Sequence, residues 1–577
     1  MSISEQQNIV VSPDVFSAWS PGLESELPRH LLDQETIFLP DNVLSRYSDV
    51  MEWVDQTGMS AGDLVAFRTE RLALHELIVR VTADLRVMEG ETDEALGINF
   101  RVIVNDIFEH FIRPQMPAIS ADFNRLQADV EQRARDILAR QLNAVTESEE
   151  VKLSGWRRWL PGLSRQRSKP VRQPVMESAL ERDYRVINEF KQAGLASDDR
   201  FTRAVYRSLY QVLSGVAGRR GYLGTDLDNL SLLVTRHVMN GYGSRRIGEW
   251  IMPCIEAAVQ SRGYLKVEKV AEPLLISLKG ASAAGKSSLR PMLQTILRAK
   301  GIKPGSYATV SPDIWRRLLL DYEALGEAYK YAGRFTSNEV NVIDAKFDHY
   351  VRRQADEQAS ISHLLVDRFR FDSFSSEKVS RILHDTYAKY VHTLQMYFVI
   401  TPPEATVERG WERGLQRGRY KSVEDFLGHS VEAYAGMPKI FCKWLAYDRP
   451  LFRYEFLDNS VPKGEFPLPI ATGTQKSMRI YRPLGLVNIQ RYQKINIYAN
   501  SPEEVYPANA SLDVADNCQF LLECLRRIPL VSFVDPESDT VYLECHQNES
   551  RIIDEQLYRR CLEDNDLAAV FKQVVSR

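Results

Sequence analysis

Nine consecutive residues, Gly280, Ala281, Ser282, Ala283, Ala284, Gly285, Lys286, Ser287 and Ser288, carry the plainest chemistry in the chain. They match G-x-x-x-x-G-K-[ST], a spacing suited to a loop that wraps a polyphosphate. Glycines at 280 and 285 allow backbone angles closed to other residues, so successive N–H groups can turn inward toward phosphate oxygens. The small residues between them let the loop close tightly. Lys286 then reaches the β- and γ-phosphates, and Ser287 offers its hydroxyl to Mg2+. The motif implies ATP, or else GTP, together with Mg2+. Without a ligand the same residues would be a glycine-rich turn between strand and helix.

A transferase also needs a group that activates the acceptor. The run 307–313 (YATVSPD) is strand-like and ends in Asp313, with Arg316 one helical turn further on. An acid at the tip of a parallel strand sits beside the ligand cleft, where it can take the proton of an attacking hydroxyl. Arg316 can orient that acid or hold an anionic substrate; alternatively Asp313 caps a helix and Arg316 is a surface residue. A further strand ends in Asp367, a Walker-B-like position suited to a water-mediated contact with Mg2+ or to substrate hydroxyls. Arg368 and Arg370 alternate beyond it and can face a substrate phosphate. Arg409, Arg413 and Arg417 recur every four residues, which aligns them on one helix face. Such a stripe suits a lid that stabilises charge on a transferred phosphoryl group, although a basic run is more simply a solvated face.

These groups converge only if a parallel sheet presents them. From Ala271 onward, apolar runs ending in turn residues alternate with helical stretches, the pattern of a parallel sheet covered by helices on both faces. Strands are expected at 274–278, 307–311, 363–367, 396–401 and 454–457. The fold class is therefore multi-domain: a central α/β, P-loop NTPase-type parallel sheet, preceded by an all-α region and followed by a small α+β domain. Pro291 falls early in the helix after the phosphate loop and is expected to kink it.

The expected boundaries are 1–150 for an N-terminal helical domain with an irregular leader, and 151–175 for a basic, proline-broken linker containing Trp156 and Trp159. A second helical region covers 176–268, the P-loop domain 269–460, a Pro/Gly-rich linker 461–476 and a C-terminal α+β domain 477–577. In that last domain strands are expected at 478–481, 495–499, 531–534 and 541–545, with helices at 517–527 and 554–575. Helical spacing is clear at 63–85 and 118–141, and GYGSRR at 241–246 reads as a turn between helices. His75-Glu76 does not extend to H-E-x-x-H because position 79 is Val, so His75 reads as a surface or capping residue.

Composition narrows the class. At 577 residues the chain is too long for one core, and its net charge of −4 gives no global footprint for nucleic acid. The six cysteines form no C-x-x-C pair, which fits a reducing compartment. The start MSISEQQNIVVSPD lacks the basic residues and apolar run of a secretory signal, and no apolar stretch reaches the ~18 residues of a membrane span. A cytoplasmic protein is expected, with an effector exported through a receptor-read signal as the alternative.

Residues from about 273 to 459 resemble the zeta-toxin family of P-loop kinases. The resemblance rests on the phosphate loop, the strand-end pair Asp313 and Arg316, and the segment Thr336-Ser-Asn-Glu339. It also rests on the LLVDRFR strand, the R-x-x-x-R of Arg409 and Arg413, and the closing strand Tyr454–Asn459. It implies transfer of the ATP γ-phosphate to a hydroxyl of a small metabolite, commonly UDP-N-acetylglucosamine and in some relatives another nucleotide. It further implies Asp313 as general base, Lys286 as phosphate clamp, Arg409 and Arg413 as lid, and Glu339 and Asp367 as substrate contacts. Thr336, Arg316 and Arg370 join them as candidate substrate residues. The chain departs from the family in the middle of the loop, where members often carry Pro and Gly. It departs again at Asp367, where Glu is common. Two other functions compete: a nucleotide-dependent scaffold or switch without phosphotransfer, and a polynucleotide 5′-hydroxyl kinase. The expected partners are a small-molecule or nucleotide-sugar substrate and, through the N-terminal helices, another protein. Nucleic acid fits only the basic stretch 157–172.

Overall fold

The computed structural model describes residues 16–90, 92–143, 179–303, 305–367, 389–418, 420–462, 465–547 and 549–575. The expected basic linker, and Arg368 and Arg370, lie outside these residues. The chain divides into two compact units: Asp33–Leu77 with Ile107–Ala257, and Met1–Leu32 with Ile78–Asp106 and Ala258–Arg577.

The first unit is helical, with Met116–Asn143, Ala179–Ala196, Arg200–Arg220 and Leu227–Val238 as its longest helices. Asp199 caps one of them by accepting from the Thr202 amide, and Gly221, at φ 81°, terminates it. Three sequence expectations change in the helical parts of the chain. The stretch 241–246 is no turn: a π-helical turn over Met239–Gly243 runs directly into the helix Ser244–Trp250. Gly243 serves close packing instead, since an added Cβ would lie 2.9 Å from Met239 Cε and 3.1 Å from Phe123 Cε2. His75 is fully buried, edge-on to Phe67 with ring centroids 5.0 Å apart, so it is a core residue. The helical stretch from 63 is interrupted where Val65 adopts extended angles, and it resumes as Thr69–Asp84.

The second unit is built on a ten-stranded sheet. In chain order its strands are β1 (Leu274–Lys279), β2 (Tyr307–Val310), β3 (His363–Val366), β4 (Thr393–Ile400), β5 (Leu451–Asp458), β6 (Leu468–Thr474), β7 (Ser477–Ile480), β8 (Leu530–Val534), β9 (Val541–His546) and β10 (Glu549–Ile552). The spatial order is β10-β9-β8-β7-β6-β5-β4-β1-β3-β2. The strands from β5 to β2 are all parallel. Every residue of β1 is buried, as a strand covered on both faces requires. The β1–β2 and β4–β5 connections run in opposite directions across the sheet. Right-handed crossovers therefore put Arg290–Ala299 on one face and Pro403–Arg417 with Val423–Leu445 on the other.

The sheet continues past β5. Leu468–Thr474, placed by its prolines in a linker, is the strand β6, antiparallel to β5. Pro469 falls next to the register shift at Phe456/Leu457, a position where a missing N–H is tolerated. Residues 495–499, expected as a strand, form none. The Asn496 side chain accepts from the Tyr498 amide at 3.0 Å and turns the chain, while Ile495 and Ala499 are buried against Val407 and Phe426.

Candidate active site

Chain order reverses at β1, which has β3 on one side and β4 on the other. The crevice beyond the carboxyl end of such a strand is where open α/β sheets bind ligands, and the loop 280–288 leaves β1 there. Its small residues act somewhat differently from expectation. Gly285 has φ 90°, and an added Cβ would lie 2.1 Å from Asn459 Nδ2. Gly280 does not adopt a left-handed angle. It is required because a Cβ would come within 2.9 Å of the Val399 carbonyl oxygen on β4. The other left-handed residue is Ala283, at φ 58°.

The loop is pinned from behind. The Ala284 carbonyl accepts from Asn459 Nδ2 at 2.7 Å and from Thr401 Oγ1 at 3.0 Å, groups at the ends of β5 and β4. Lys286 Nζ donates to the carbonyls of Gly280 and Ala281, each at 3.0 Å. Lys286–Leu289 is a 3-10 turn, and the α-helix proper begins at Arg290. Pro291 thus lies in the first helical turn, where its missing N–H has no partner to lose, and it starts the helix instead of kinking it. Ala281 and Ala284 are fully buried under the loop. Ser282, Ala283, Gly285, Lys286, Ser287 and Ser288 line a cavity of about 1110 Å³.

Asp313 lines the same cavity, within the 3-10 turn Pro312–Trp315 that follows β2. Arg316 Nε donates to its Oδ1 at 3.0 Å, while Arg316 Nη1 donates to the Gly333 carbonyl at 2.6 Å and to Thr336 Oγ1 at 2.7 Å. Arg316 therefore fixes the acid against the segment 333–337. Thr336 and Glu339 are fully buried and do not line the cavity. Asp367 does line it; its backbone N–H bonds the Val310 carbonyl, so β3 delivers it beside the end of β2.

Arg409 and Arg413 reach the cavity from the helix Pro403–Arg417. Each is followed by a glycine that lets an aromatic ring close on the helix. A Cβ at Gly410 would overlap the Phe426 ring at 2.0 Å, and one at Gly414 would approach Tyr420 at 2.5 Å. Arg409 Nη2 donates to the Val461 carbonyl at 2.9 Å. Burial lowers its pKa, with Glu412 and Asp458 acting the other way.

Several lining residues had no recognisable pattern in the sequence: Lys330, Arg334, Lys421 and His429. The Lys421 ammonium lies 3.2 Å from His429 Nδ1, and an ammonium can only donate, so Nδ1 accepts. Burial, then the charges of Lys421, Lys286 and Arg334, push the His429 pKa down to about 2. A buried acid, Glu89, supports the site from behind. It accepts from Tyr307 Oη at 2.6 Å, Thr309 Oγ1 at 2.7 Å, Gln294 Nε2 at 3.1 Å and Arg290 Nη1 at 3.3 Å. It thus joins β2 to the helix that follows the phosphate loop.

No cluster of three or more His, Cys, Asp or Glu suited to a metal occurs among the described residues. Ser287 and Asp367, the residues expected near Mg2+, both line the cavity. No described helix is long and apolar enough to cross a membrane.

A buried parallel strand that ends in G-x-x-x-x-G-K-S at the switch point of the sheet defines a P-loop α/β fold. No family model matches the chain, and no curated protein matches it. Among solved structures it is similar to the AvrRxo1-ORF1:AvrRxo1-ORF2 complex with sulphate ions, at 16% identity and a TM-score of 0.29, over 41% of this chain and 67% of that one. The AvrRxo1-ORF1:-ORF2 structure with ATP is similar at 14% identity and a TM-score of 0.31, over 45% of this chain and 77% of that one. Both likenesses are distant.

Proposed function

We propose that this chain is an ATP-dependent, P-loop kinase of zeta-toxin type that phosphorylates a hydroxyl of a small metabolite or nucleotide sugar. One observation carries the reading: the phosphate loop, Asp313, Arg409 and Arg413 all line a single cavity. Nucleotide binding exchanges the Lys286 contacts with Gly280 and Ala281 for contacts with β- and γ-phosphate oxygens. Asp313, held by Arg316, accepts the acceptor's hydroxyl proton as its oxygen bonds the γ-phosphorus. The bond from that phosphorus to the β–γ bridging oxygen breaks, and ADP leaves with the bridging oxygen. Arg409 and Arg413 neutralise charge on the equatorial oxygens, where fixed guanidinium groups are most effective. Ser287 and Asp367 would hold Mg2+, which would supply further neutralisation of phosphate charge.

The resemblance makes UDP-N-acetylglucosamine the first acceptor to try. The test is mass spectrometry of a cell extract incubated with Mg-ATP and the wild-type protein, Lys286→Ala or Asp313→Asn. A metabolite that gains one phosphate with the wild type alone, while Asp313→Asn still binds ATP, is the expected result. Full transfer by Asp313→Asn removes the base assignment. An ATP-driven change of conformation with no phosphorylated product would assign the chain to the switches instead.

A further inference from the structure

We infer that residues 23–25 form a working wall of the cavity, anchored by the turn at 17–20, and that Trp19 is a positioning residue for the arginine-bearing helix; this rests on the kinase reading above. Ser17 and Ser20 exchange backbone hydrogen bonds at 3.1 and 3.2 Å, so Ala18 and Trp19 stand at the tip of a tight turn. Ala18 is buried with Val407, Val423, Phe426 and Leu427, residues of the two helices that follow β4, and Trp19 packs on the same cluster. The Trp19 indole N–H donates to Glu408 Oε1 at 2.6 Å, and Glu408 immediately precedes Arg409.

The same segment reaches the other side of the cavity. Lys330 Nζ donates to the Pro21 carbonyl at 3.2 Å and lies 3.6 Å from the centroid of the Phe16 ring. Further along, Ser25 Oγ donates to Asp425 Oδ1 at 2.7 Å. Between these ties, Leu23, Glu24 and Ser25 themselves line the cavity with Lys330 and Asp425. A short run of chain therefore bridges the wall that carries Lys330 and the wall that carries Arg409 and Arg413.

Guanidinium groups stabilise a transferring phosphoryl group only when held close to the productive geometry. The helix Pro403–Arg417 is held near its start, where Tyr506 Oη donates to Glu404 at 3.1 Å. The Trp19–Glu408 bond adds a charge-assisted tie one residue before the first arginine, where it restrains rotation of the helix about its axis. Trp19 touches no reacting atom; it acts through Glu408.

The test compares Trp19→Phe, which keeps a ring and removes the donor, with Glu408→Ala, Glu408→Gln and the double variant Trp19→Phe/Glu408→Ala. Because the Glu408 carboxylate is exposed, loss of this bond predicts that kcat falls about threefold in Trp19→Phe and Glu408→Ala, with nucleotide Kd unchanged. Glu408→Gln retains an acceptor without the charge and should fall between the wild type and Glu408→Ala, and the double variant should be no slower than either single one. Multiplying effects, an unchanged kcat, or a faster Trp19→Phe enzyme would each overturn the inference. Amide hydrogen exchange over Pro403–Arg417 in the protein alone needs no turnover. Faster exchange in Trp19→Phe supports the tie even if the wild type makes no product, an outcome that sinks only the kinase reading. Unchanged exchange overturns the tie even in an active kinase.

Discussion

Replacing Glu89 by alanine should loosen the helix behind the phosphate loop by several kcal/mol. The Glu89 and Arg290 side chains are 4% and 2% accessible, so truncating the acid takes a carboxylate partner from a guanidinium in the interior. Removing one partner of a buried pair costs about 3–5 kcal/mol. The hydroxyls of Tyr307 and Thr309 lose their acceptor at the same time, at roughly 1–3 kcal/mol each where no water replaces it. These costs overlap, because the groups share one site, and about 4 kcal/mol is a reasonable sum. Native-state hydrogen exchange across Arg290–Ala299 reads the local opening free energy directly. Protection should fall by roughly 10³-fold in Glu89→Ala, since each 1.4 kcal/mol is tenfold. Glu89→Gln, which keeps one acceptor oxygen where the carboxylate offers two, should fall between. Glu89→Leu combined with Arg290→Met removes both charges and should recover the ion-pair part of the loss, because a buried pair is replaceable by apolar groups of similar volume, while the hydroxyls of Tyr307 and Thr309 still lack this acceptor. A drop of less than tenfold in Glu89→Ala, or a double variant as poor as the single one, would refute the reasoning. Nucleotide binding should weaken in parallel, because the turn bearing Lys286 leads directly into this helix.

Three further outcomes follow from the site. Gly285→Ala should weaken ATP binding at least tenfold by calorimetry, since its left-handed backbone costs roughly 1–3 kcal/mol for a non-glycine residue and the new methyl displaces Asn459 from Ala284. Arg409→Met and Arg413→Met should each lower kcat by about 10³-fold with little change in ATP affinity; a change confined to KM would place these residues in ground-state binding. His429 makes stability fall with acid. Its folded pKa of about 2 lies below the ordinary value, so below pH ~6.5 the unfolded chain takes up the proton first, and this residue alone costs about 1.4 kcal/mol per pH unit. The urea midpoint of the wild type should therefore drop between pH 7.5 and 5 by more than that of His429→Asn, by the equivalent of about 2 kcal/mol. Equal drops would show that His429 titrates normally.

Local pattern was enough to find the phosphate loop, because its chemistry is written in nine adjacent residues. The same holds for the strands of the parallel half, whose buried apolar runs end in turn residues. Spacing also put Arg409 and Arg413 on one helix face. Other features depended on groups far apart in the chain. Gly280 is constrained by a β4 carbonyl and not by its own φ, which no reading of the loop alone reveals. The prolines around Pro469 spoke for a linker, yet pairing with β5 made a strand, since tertiary hydrogen bonding outweighs weak local preference. Glu89 lies in the polar run MEGETDE and looks like a surface acid until Tyr307, Thr309 and Arg290 surround it. Asn459, His429 and Trp19 likewise acquire a role only where β5, the helix Val423–Leu445 and the turn at 17–20 meet the loop and its arginine helix. Sequence by itself pointed to the groups proposed to grip a polyphosphate, because such a grip is local. The tertiary structure decided which acid, arginines and supports share the cavity with it, because their convergence is a property of strand order and packing.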